Sequence, residues 1–181
     1  NSGNANAGTG KQGTDDTISY CKKASEVFSL KTEQVLPFST GVIGELLPVE
    51  RISDSFEQLK DNLHEDNWQN VAEAIMTTDT KPKGISKEIT INGGESITIT
   101  GIAKGAGMIQ PNMATMLAFI ATDIFINQDD LDKLLKTNIN ESFNCITVDG
   151  ETSTNDACVL MSTSSSSHKF SVLNKQDKEN F

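Results

Sequence analysis

The chain has 181 residues, of which 36% are hydrophobic and 22% are charged, and its formal net charge is −10. This size suits one domain, or one large piece of a bigger protein, with enough apolar residues to build a core. The negative charge argues against nucleic acid or an anionic membrane as the main partner, because both attract positively charged surfaces. No apolar run approaches the length of a transmembrane helix.

The numbers and spacing of the cysteines and histidines indicate the cellular compartment and limit the kind of metal site. The three cysteines, Cys21, Cys145 and Cys158, are widely spaced and form no CxxC motif. This pattern favours a reduced, cytoplasmic protein. The two histidines are too few for a His-rich metal site. Separately from this count, no metal and no tightly bound cofactor is implied, and we expect none.

The first half of the chain is predicted to be mainly helical. Residues 1–12 are rich in Gly, Asn and Ser, which is typical of a flexible end or of backbone that approaches a ligand. A capping threonine begins a predicted helix over residues 14–30. Residues 34–38 predict a short strand that runs into a turn at 39–41. Apolar residues at helical spacing then predict two amphipathic helices between residues 49 and 76.

The second half is predicted to contain most of the strands. Alternating residues on both sides of Asn92-Gly93-Gly94 predict a β-hairpin over 88–100. A glycine-rich loop then leads into a buried apolar strand within residues 113–120. The other predictions are a breaker at 81–84, a helix capped by Asn127, a strand at 145–148, a turn at 149–150 and an exposed serine-rich loop at 162–167. This mixture predicts an α+β fold, a layered sandwich of sheet and helices.

The sequence lacks the motifs of several common catalytic devices. It contains no GxSxG elbow, no HExxH motif and no P-loop, and Gly105-Ala106-Gly107 lacks the further glycine of a dinucleotide fingerprint. A Ser–His–Asp triad would have to recruit His64 or His168. Neither pattern favours that role, since His64 lies in an amphipathic helix and His168 follows the serine run.

Thr115 is the remaining candidate nucleophile, and the residues alone leave two interpretations open. On pattern alone, a buried strand threonine whose hydroxyl bonds to the backbone is the favoured interpretation. The alternative is that the chain cuts itself before Thr115. The hydroxyl would then stand beside an α-amine whose pKa near neutrality suits a general base. The small neighbour Ala114 and the preceding glycine-rich loop are compatible with that chemistry.

Four segments together resemble one enzyme family. KGAGMIQPNMATMLAFIATD (104–123) resembles the self-cleavage region of the bifunctional ornithine acetyltransferase/glutamate N-acetyltransferase family. NSGNANAGTGKQG (1–13) resembles its asparagine- and glycine-rich segment, PFSTGVIGELLP (37–48) its oxyanion-hole segment, and SFNCITVDGETSTND (142–156) its motif downstream of the cleavage. The matches occur in the family's order and span most of the chain.

The resemblance implies a reaction and a fold. Cleavage would fall between Ala114 and Thr115, and Thr115 would take the acetyl group of N2-acetyl-L-ornithine as an ester and pass it to L-glutamate in a ping-pong cycle of arginine biosynthesis. The implied fold is the layered α/β sandwich of self-cleaving threonine-nucleophile enzymes. Some members also use acetyl-CoA as a co-substrate, which this sequence does not settle.

The resemblance also assigns four further site positions. Thr40 and Gly41 match the oxyanion hole, for which the alternative is an ordinary turn. Thr78 and Lys104 match substrate-binding positions, together with Thr115. The alternative for Thr78 is a helix C-terminal cap, and for Lys104 a solvated surface lysine. A lysine beside the nucleophile could pair with the α-carboxylate that both amino acids carry.

The same resemblance divides the chain and names its partners. Residues 1–114 would be the C-terminal part of an α chain, and residues 115–181 the N-terminal part of a β chain, both within one larger domain. Two such α/β pairs would form a heterotetramer, without nucleic acid or membrane. Two other functions stay open: an N-terminal-nucleophile aminopeptidase or amidohydrolase, in which water takes the acyl group, and an inactive fragment.

Overall fold

The computed structural model describes residues 1–109 and 116–181. The longest helix, α1 (Gly10–Phe28), begins four residues before the predicted start. Thr14 is therefore not its cap. The Thr14 hydroxyl donates to the Gly10 carbonyl inside the helix, and the N-cap position falls on Thr9. Ser29, with a positive φ of 56°, ends the helix.

Four more helices and six strands complete the fold of the described residues. The helices are α2 (Val49–Asp61), α3 (Trp68–Ala74), α4 (Gln128–Glu141) and α5 (Lys175–Asn180). The strands are β1 (Gly3–Asn4), β2 (Gly41–Val42), β3 (Lys83–Ile91), β4 (Glu95–Lys104), β5 (Leu117–Thr122) and β6 (Ala157–Ser162). The two amphipathic helices predicted between residues 49 and 76 are α2 and α3. The Asn127 side chain caps α4 by accepting from the Asp130 N–H, as predicted.

A four-stranded sheet in the order β3-β4-β5-β6 forms the centre of the fold. The predicted hairpin is confirmed, since β3 and β4 pair antiparallel around Asn92-Gly93-Gly94. It is longer than predicted, because the supposed breaker at 81–84 contributes Lys83 and Gly84 to β3. β5 pairs antiparallel with β4 and parallel with β6, and α4 lies in the connection that crosses from β5 to β6.

Helices lie on both faces of this sheet. Ile97 packs with Ile89, Ile91 and residues of α4 in one apolar cluster. Ile102 packs with Ala72 and Ile75, in and after α3, in another. Side chains in a strand alternate between faces, so Ile97 and Ile102, five positions apart, point to opposite sides. The predicted layered α+β arrangement is thus observed as α3, sheet and α4.

Two of the predicted short strands are wrong. The segment at 34–38 begins in a 3₁₀ turn (Thr32–Gln34) and then runs without strand pairing to β2, which pairs with β1 in a separate two-stranded parallel sheet. The segment at 145–148 follows a second 3₁₀ turn (Phe143–Cys145), and only Val148 forms a bridge, to Ile109. Both segments are short and apolar, but neither joins the four-stranded sheet.

The remaining predictions concern turns, spans and chain division. Asp149 and Gly150 both adopt positive φ, of 62° and 72°, as the predicted turn requires. Within residues 1–109 and 116–181, no helix is both long and apolar enough to cross a membrane. The predicted division into 1–114 and 115–181 stays a prediction, because its boundary falls outside the described residues.

Candidate active site

The predicted nucleophile loop connects two paired strands. β4 ends at Lys104, β5 begins at Leu117, and these two residues are cross-strand partners. The connecting segment therefore leaves the sheet and returns to it at one place. Ala114 and Thr115 belong to the part of this segment that lies outside the described residues, so their predicted roles stay predictions. Met116, directly after Thr115, is described and buried.

Lys104 is the most deeply buried charged residue of the described chain, with 1% of its surface exposed. Strand alternation places it on the same face as Ile102, which packs on α3. Its ammonium therefore points toward the segment after α3, where it donates to the Thr77 hydroxyl over 3.2 Å. The interpretation as a solvated surface lysine is wrong.

Two carboxylates act on this buried ammonium. Burial lowers the pKa of Lys104, while the charges of Asp79 and Asp156 raise it and so oppose the effect of burial. A buried ammonium with nearby carboxylates can still form further charge-assisted hydrogen bonds, because it has three donors. Lys104 is thus suited to receive a carboxylate from a ligand.

Asp79 ties the segment after α3 to the end of β4. Its side chain is fully buried and accepts hydrogen bonds from the Lys83 ammonium, from the Gly105 N–H at 2.8 Å and from the Thr77 N–H at 3.4 Å. Burial alone would raise the pKa of Asp79, but these three donors outweigh it and hold the pKa below its usual value.

Thr78 lies between Thr77 and Asp79 and is exposed. Because both of its neighbours bond to the Lys104–Gly105 region, the structure brings the two predicted substrate-binding residues Thr78 and Lys104 into one site. The C-cap interpretation of Thr78 is wrong, since Ile75 is the C-cap of α3. The sequence analysis missed Asp79, although an acidic residue four positions before a lysine was a usable signal for an ion pair.

The predicted oxyanion-hole turn lies on the same face of the sheet. Phe38, directly before this turn, packs edge-to-face on Phe119 of β5 with ring centroids 5.9 Å apart. Thr40 is fully buried. Its N–H donates to the Asn1 side-chain oxygen over 2.9 Å, whereas its hydroxyl has no hydrogen-bond partner among the described residues. Buried polar groups are nearly always paired, so a hydroxyl without a partner in the described residues is a candidate donor to a ligand.

Gly41 is at a position that requires glycine. Its φ is 135°, and a Cβ atom there would lie 1.8 Å from the Gly3 carbonyl oxygen. The close approach follows from the pairing of Gly3 with Gly41 in the β1–β2 sheet. Thr40 and Gly41 therefore form a constrained turn with close backbone contact and a buried hydroxyl that has no partner in the described residues, and their assignment to an oxyanion hole stays a prediction.

The polar segment 150–156 reaches both sides of the site. The Asn155 amide donates to the Ser39 carbonyl and, over 3.2 Å, to the Asn6 side-chain oxygen. The Asp156 carboxylate accepts from the Met116 N–H at 2.7 Å. Burial raises the pKa of Asp156, against the lowering effects of that hydrogen bond and of Lys104. The family resemblance includes this segment but assigns no role to any of its residues.

The start of the glycine-rich loop is held by Asp149, which directly precedes the segment 150–156. Asp149 accepts from the N–H groups of Met108 and Ile109, at 2.7 and 3.3 Å, and these hydrogen bonds lower its pKa. Backbone bonds between Ile109 and Val148 run in both directions. Met108 and Ile109 are thus fixed to the turn at 149–150.

The histidines do not join this cluster. His64 is exposed and accepts from the Asp66 N–H, and His168 lies 3.5 Å from the Glu95 carboxylate at the hairpin end of β4. In residues 1–109 and 116–181, no group of three metal-ligating side chains converges. The expectation that no metal takes part stays a prediction.

Comparisons with known proteins point to one family. A family model described as the ArgJ family matches residues 1–181. The chain is 54% identical over 161 residues to the arginine biosynthesis bifunctional protein ArgJ of Methylococcus capsulatus, covering 89% of this chain and 39% of that protein. It is 51% identical over 178 residues to the protein of the same name from Colwellia psychrerythraea, covering 98% and 42%.

A solved structure is also similar. The crystal structure of the arginine biosynthesis bifunctional protein ArgJ from Bacillus halodurans matches with a TM-score of 0.55 and 42% identity, covering 63% of this chain and 59% of that one. The likeness confirms the predicted fold class. The chain spans about two fifths of the length of the curated relatives that it matches. With a family match over all its residues, this chain belongs to the ArgJ family.

Proposed function

We propose that this chain is part of a glutamate N-acetyltransferase that moves the acetyl group of N2-acetyl-L-ornithine to L-glutamate in arginine biosynthesis. Family membership supports the proposal, and the names of the relatives include arginine biosynthesis. The observation that carries it is the buried Lys104 ammonium. Lys104 pairs with Leu117, the first residue of β5, which follows Thr115 by two positions. A buried cation at that place suits the carboxylate that the donor and the acceptor share.

Self-cleavage between Ala114 and Thr115 would create the nucleophile. The Thr115 hydroxyl attacks the acetyl carbonyl of N-acetylornithine, and the Thr115 α-amine takes the hydroxyl proton. The amide C–N bond then breaks, and ornithine leaves as an amine that has received this proton. The acetyl group remains as an ester on the threonine oxygen.

The second half of the cycle reverses these steps with another amine. The glutamate amine attacks the ester carbonyl, the C–O bond breaks, and the Thr115 oxygen recovers a proton as N-acetylglutamate leaves. Both halves pass through a tetrahedral oxyanion, and the Thr40 hydroxyl and the Gly41 N–H are its proposed donors. Thr40 suits this role because its hydroxyl is buried without a partner in the described part of the chain.

Assembly, compartment and co-substrate belong to the same proposal. We expect α and β chains from one precursor that associate as a heterotetramer in the cytoplasm. The free cysteines Cys21, Cys145 and Cys158 suit a reducing compartment. The proposed cycle needs no metal and no bound cofactor. Acetyl-CoA is a second donor to be tested in the same assay.

The test uses the protein expressed from its complete reading frame. It is incubated with N-acetylornithine, with and without glutamate, and ornithine, N-acetylglutamate and acetate are quantified. The proposal predicts N-acetylglutamate formation that depends on glutamate. Release of acetate at the same rate without glutamate would instead identify a hydrolase, and no reaction in a folded protein would favour the inactive interpretation.

Lys104 offers a sharper variant for the same assay. Lys104→Met keeps an unbranched apolar side chain, one atom shorter, but removes the ammonium. We expect KM for both amino acids to rise by at least about tenfold, because a charge-assisted hydrogen bond to a carboxylate is lost. Lys87→Met on the exposed part of β3 is the control and leaves KM unchanged. A native KM in Lys104→Met would remove Lys104 from the binding site.

A further inference from the structure

Two adjacent residues bind two different parts of the site. The Asn155 side chain reaches the turn that contains Thr40, through the Ser39 carbonyl. The Asp156 side chain reaches the start of β5, through the Met116 N–H. Their backbone is itself anchored, because the next residue, Ala157, donates its N–H to the Met116 carbonyl over 3.0 Å. One dipeptide thus links the two elements.

On the turn side, the bonds converge on a single peptide group. The Ser39 carbonyl accepts from the Asn155 amide and from the Asn6 N–H, the latter at 3.2 Å. The Thr40 N–H of the same peptide donates to Asn1. A peptide group is planar, so fixing its carbonyl and its N–H fixes the direction in which the chain enters Thr40.

On the strand side, the bond falls next to Thr115. The Met116 N–H belongs to the peptide bond that joins Met116 to Thr115. Asp156 accepts from it at 2.7 Å, a short distance of the kind found for charged acceptors. Asp156 is half-buried and interacts electrostatically with Lys104. Its carboxylate is therefore held from two directions.

We propose that Asn155 and Asp156 are a positioning pair that sets the separation between the oxyanion-hole turn and the nucleophile strand. The inference rests on the proposed function and deepens it. Neither side chain acts on the acetyl group. Asn155 acts through Thr40, and Asp156 acts through the backbone that follows Thr115. Catalysis depends steeply on such geometry, since small misplacements of reacting groups cost large factors in rate.

The test for Asn155 is a double-mutant cycle with Thr40. Asn155→Asp has nearly the same shape but replaces the donor to Ser39 by an oxygen. We expect kcat to fall about 10- to 100-fold with KM changed less than about threefold, because the misplaced donor would bind an oxyanion that develops only in the transition state. Thr40→Val removes the hydroxyl directly. The double variant should be no more than about twofold slower than Thr40→Val alone.

If the rate losses of the two single variants multiply in the double variant, Asn155 does not act through Thr40, and its proposed role is overturned. Asn62→Asp is the matched control. It also breaks a bond from an asparagine amide to a backbone carbonyl, but at the exposed C-cap of α2. If Asn155→Asp fails to fold, Asn155→Ala carries the same cycle without introducing an oxygen against Ser39.

The test for Asp156 is rescue by a conservative variant. Asp156→Ala removes the acceptor for the Met116 N–H, whereas Asp156→Asn keeps an acceptor oxygen. We expect Asp156→Ala to lower kcat at least about tenfold, and Asp156→Asn to stay within about threefold of the native value. Equal losses in the two variants would contradict positioning through this hydrogen bond.

The failures of the two proposals can be told apart. If the native protein is folded but transfers no acetyl group, the proposed function fails. If the native protein is active and the Asn155 and Thr40 effects multiply, or Asp156→Asn is as slow as Asp156→Ala, only the positioning pair fails. Rates are normalised to the fraction of cleaved chains in an intact-mass spectrum, so incomplete maturation does not mimic a catalytic defect.

Discussion

Strand β4 begins in an apolar core and ends in a polar one. Ile97, near its start, is completely buried among other aliphatic and aromatic side chains. Lys104, at its end, is almost as deeply buried but is surrounded by Thr77, Asp79 and Asp156. The apolar end stabilises the fold by removing hydrocarbon from water. The polar end holds buried charges, which are unfavourable unless they are paired. Buried charges of this kind are typical of a site that binds a ligand.

The largest expected effect lies at the apolar end. Ile97→Ala should lower the free energy of unfolding by about 2–5 kcal/mol, because it removes buried methyl groups and leaves a cavity. Urea unfolding monitored by circular dichroism measures it. Ile85→Ala is the control, since Ile85 on β3 is 73% exposed and should change stability by less than about 0.5 kcal/mol. Equal effects would contradict the position of the core.

A substitution of Thr40 tests the polar end, because this residue is expected to affect the catalytic rate and not the stability. Thr40→Val should lower kcat about 100-fold, because an oxyanion donor is lost, without lowering the free energy of unfolding. Thr122→Val is the matched control. Its hydroxyl is also buried without a hydrogen-bond partner in the described residues, but it lies at the opposite end of β5. A similar loss of rate in both variants would contradict the oxyanion-hole assignment.

Asp79 tests whether the polar end also contributes to stability. Asp79→Asn should lower the free energy of unfolding by about 1–3 kcal/mol at pH 7, because a buried acceptor of three donors is weakened. Asp15→Asn is the control. Asp15 forms a surface ion pair with Lys11 at the same sequence spacing as Asp79 and Lys83, and such exposed pairs contribute little.

The same variant has a predicted pH dependence. The pKa of Asp79 is lowered in the folded state, so its stabilisation is fully present above the unfolded value of about 3.9 and is lost as pH falls through the folded value. The charged groups that face it are Lys83 and Lys104. The difference between native and Asp79→Asn should shrink below about pH 4. A constant difference down to pH 2 would contradict it.

The smallest expected effect tests a helix cap on the apolar side. Asn127→Ala should cost about 1 kcal/mol of stability and leave kcat unchanged, because the bond from the Asp130 N–H is lost. Thr9→Ala is the control, since Thr9 occupies the N-cap of α1 but makes no capping bond through its side chain. Thermal unfolding of the two variants measures the difference. A larger loss at Thr9 would contradict the observed caps.

The local elements could be predicted from the sequence, and most of the bonds at the polar end could not. The hairpin, the two amphipathic helices and the Asn127 cap depend on neighbours within a few residues, so their patterns are visible in the chain. The bonds of Asp156 to Met116 and of Asn155 to Ser39 join residues 40 and 116 positions apart. No local pattern encodes such pairs. Thr40, Thr78 and Lys104 were found through the family resemblance, which does not depend on local structure.

The central claim is that Thr115 becomes the first residue of a separate chain. The most direct test is the intact mass of the protein purified from its complete reading frame, with Thr115→Ala prepared alongside. We predict two masses for the native protein, the second that of a chain beginning at Thr115, and one uncut mass for the variant. A single uncut mass for the native protein, or normal cleavage in Thr115→Ala, would contradict the account.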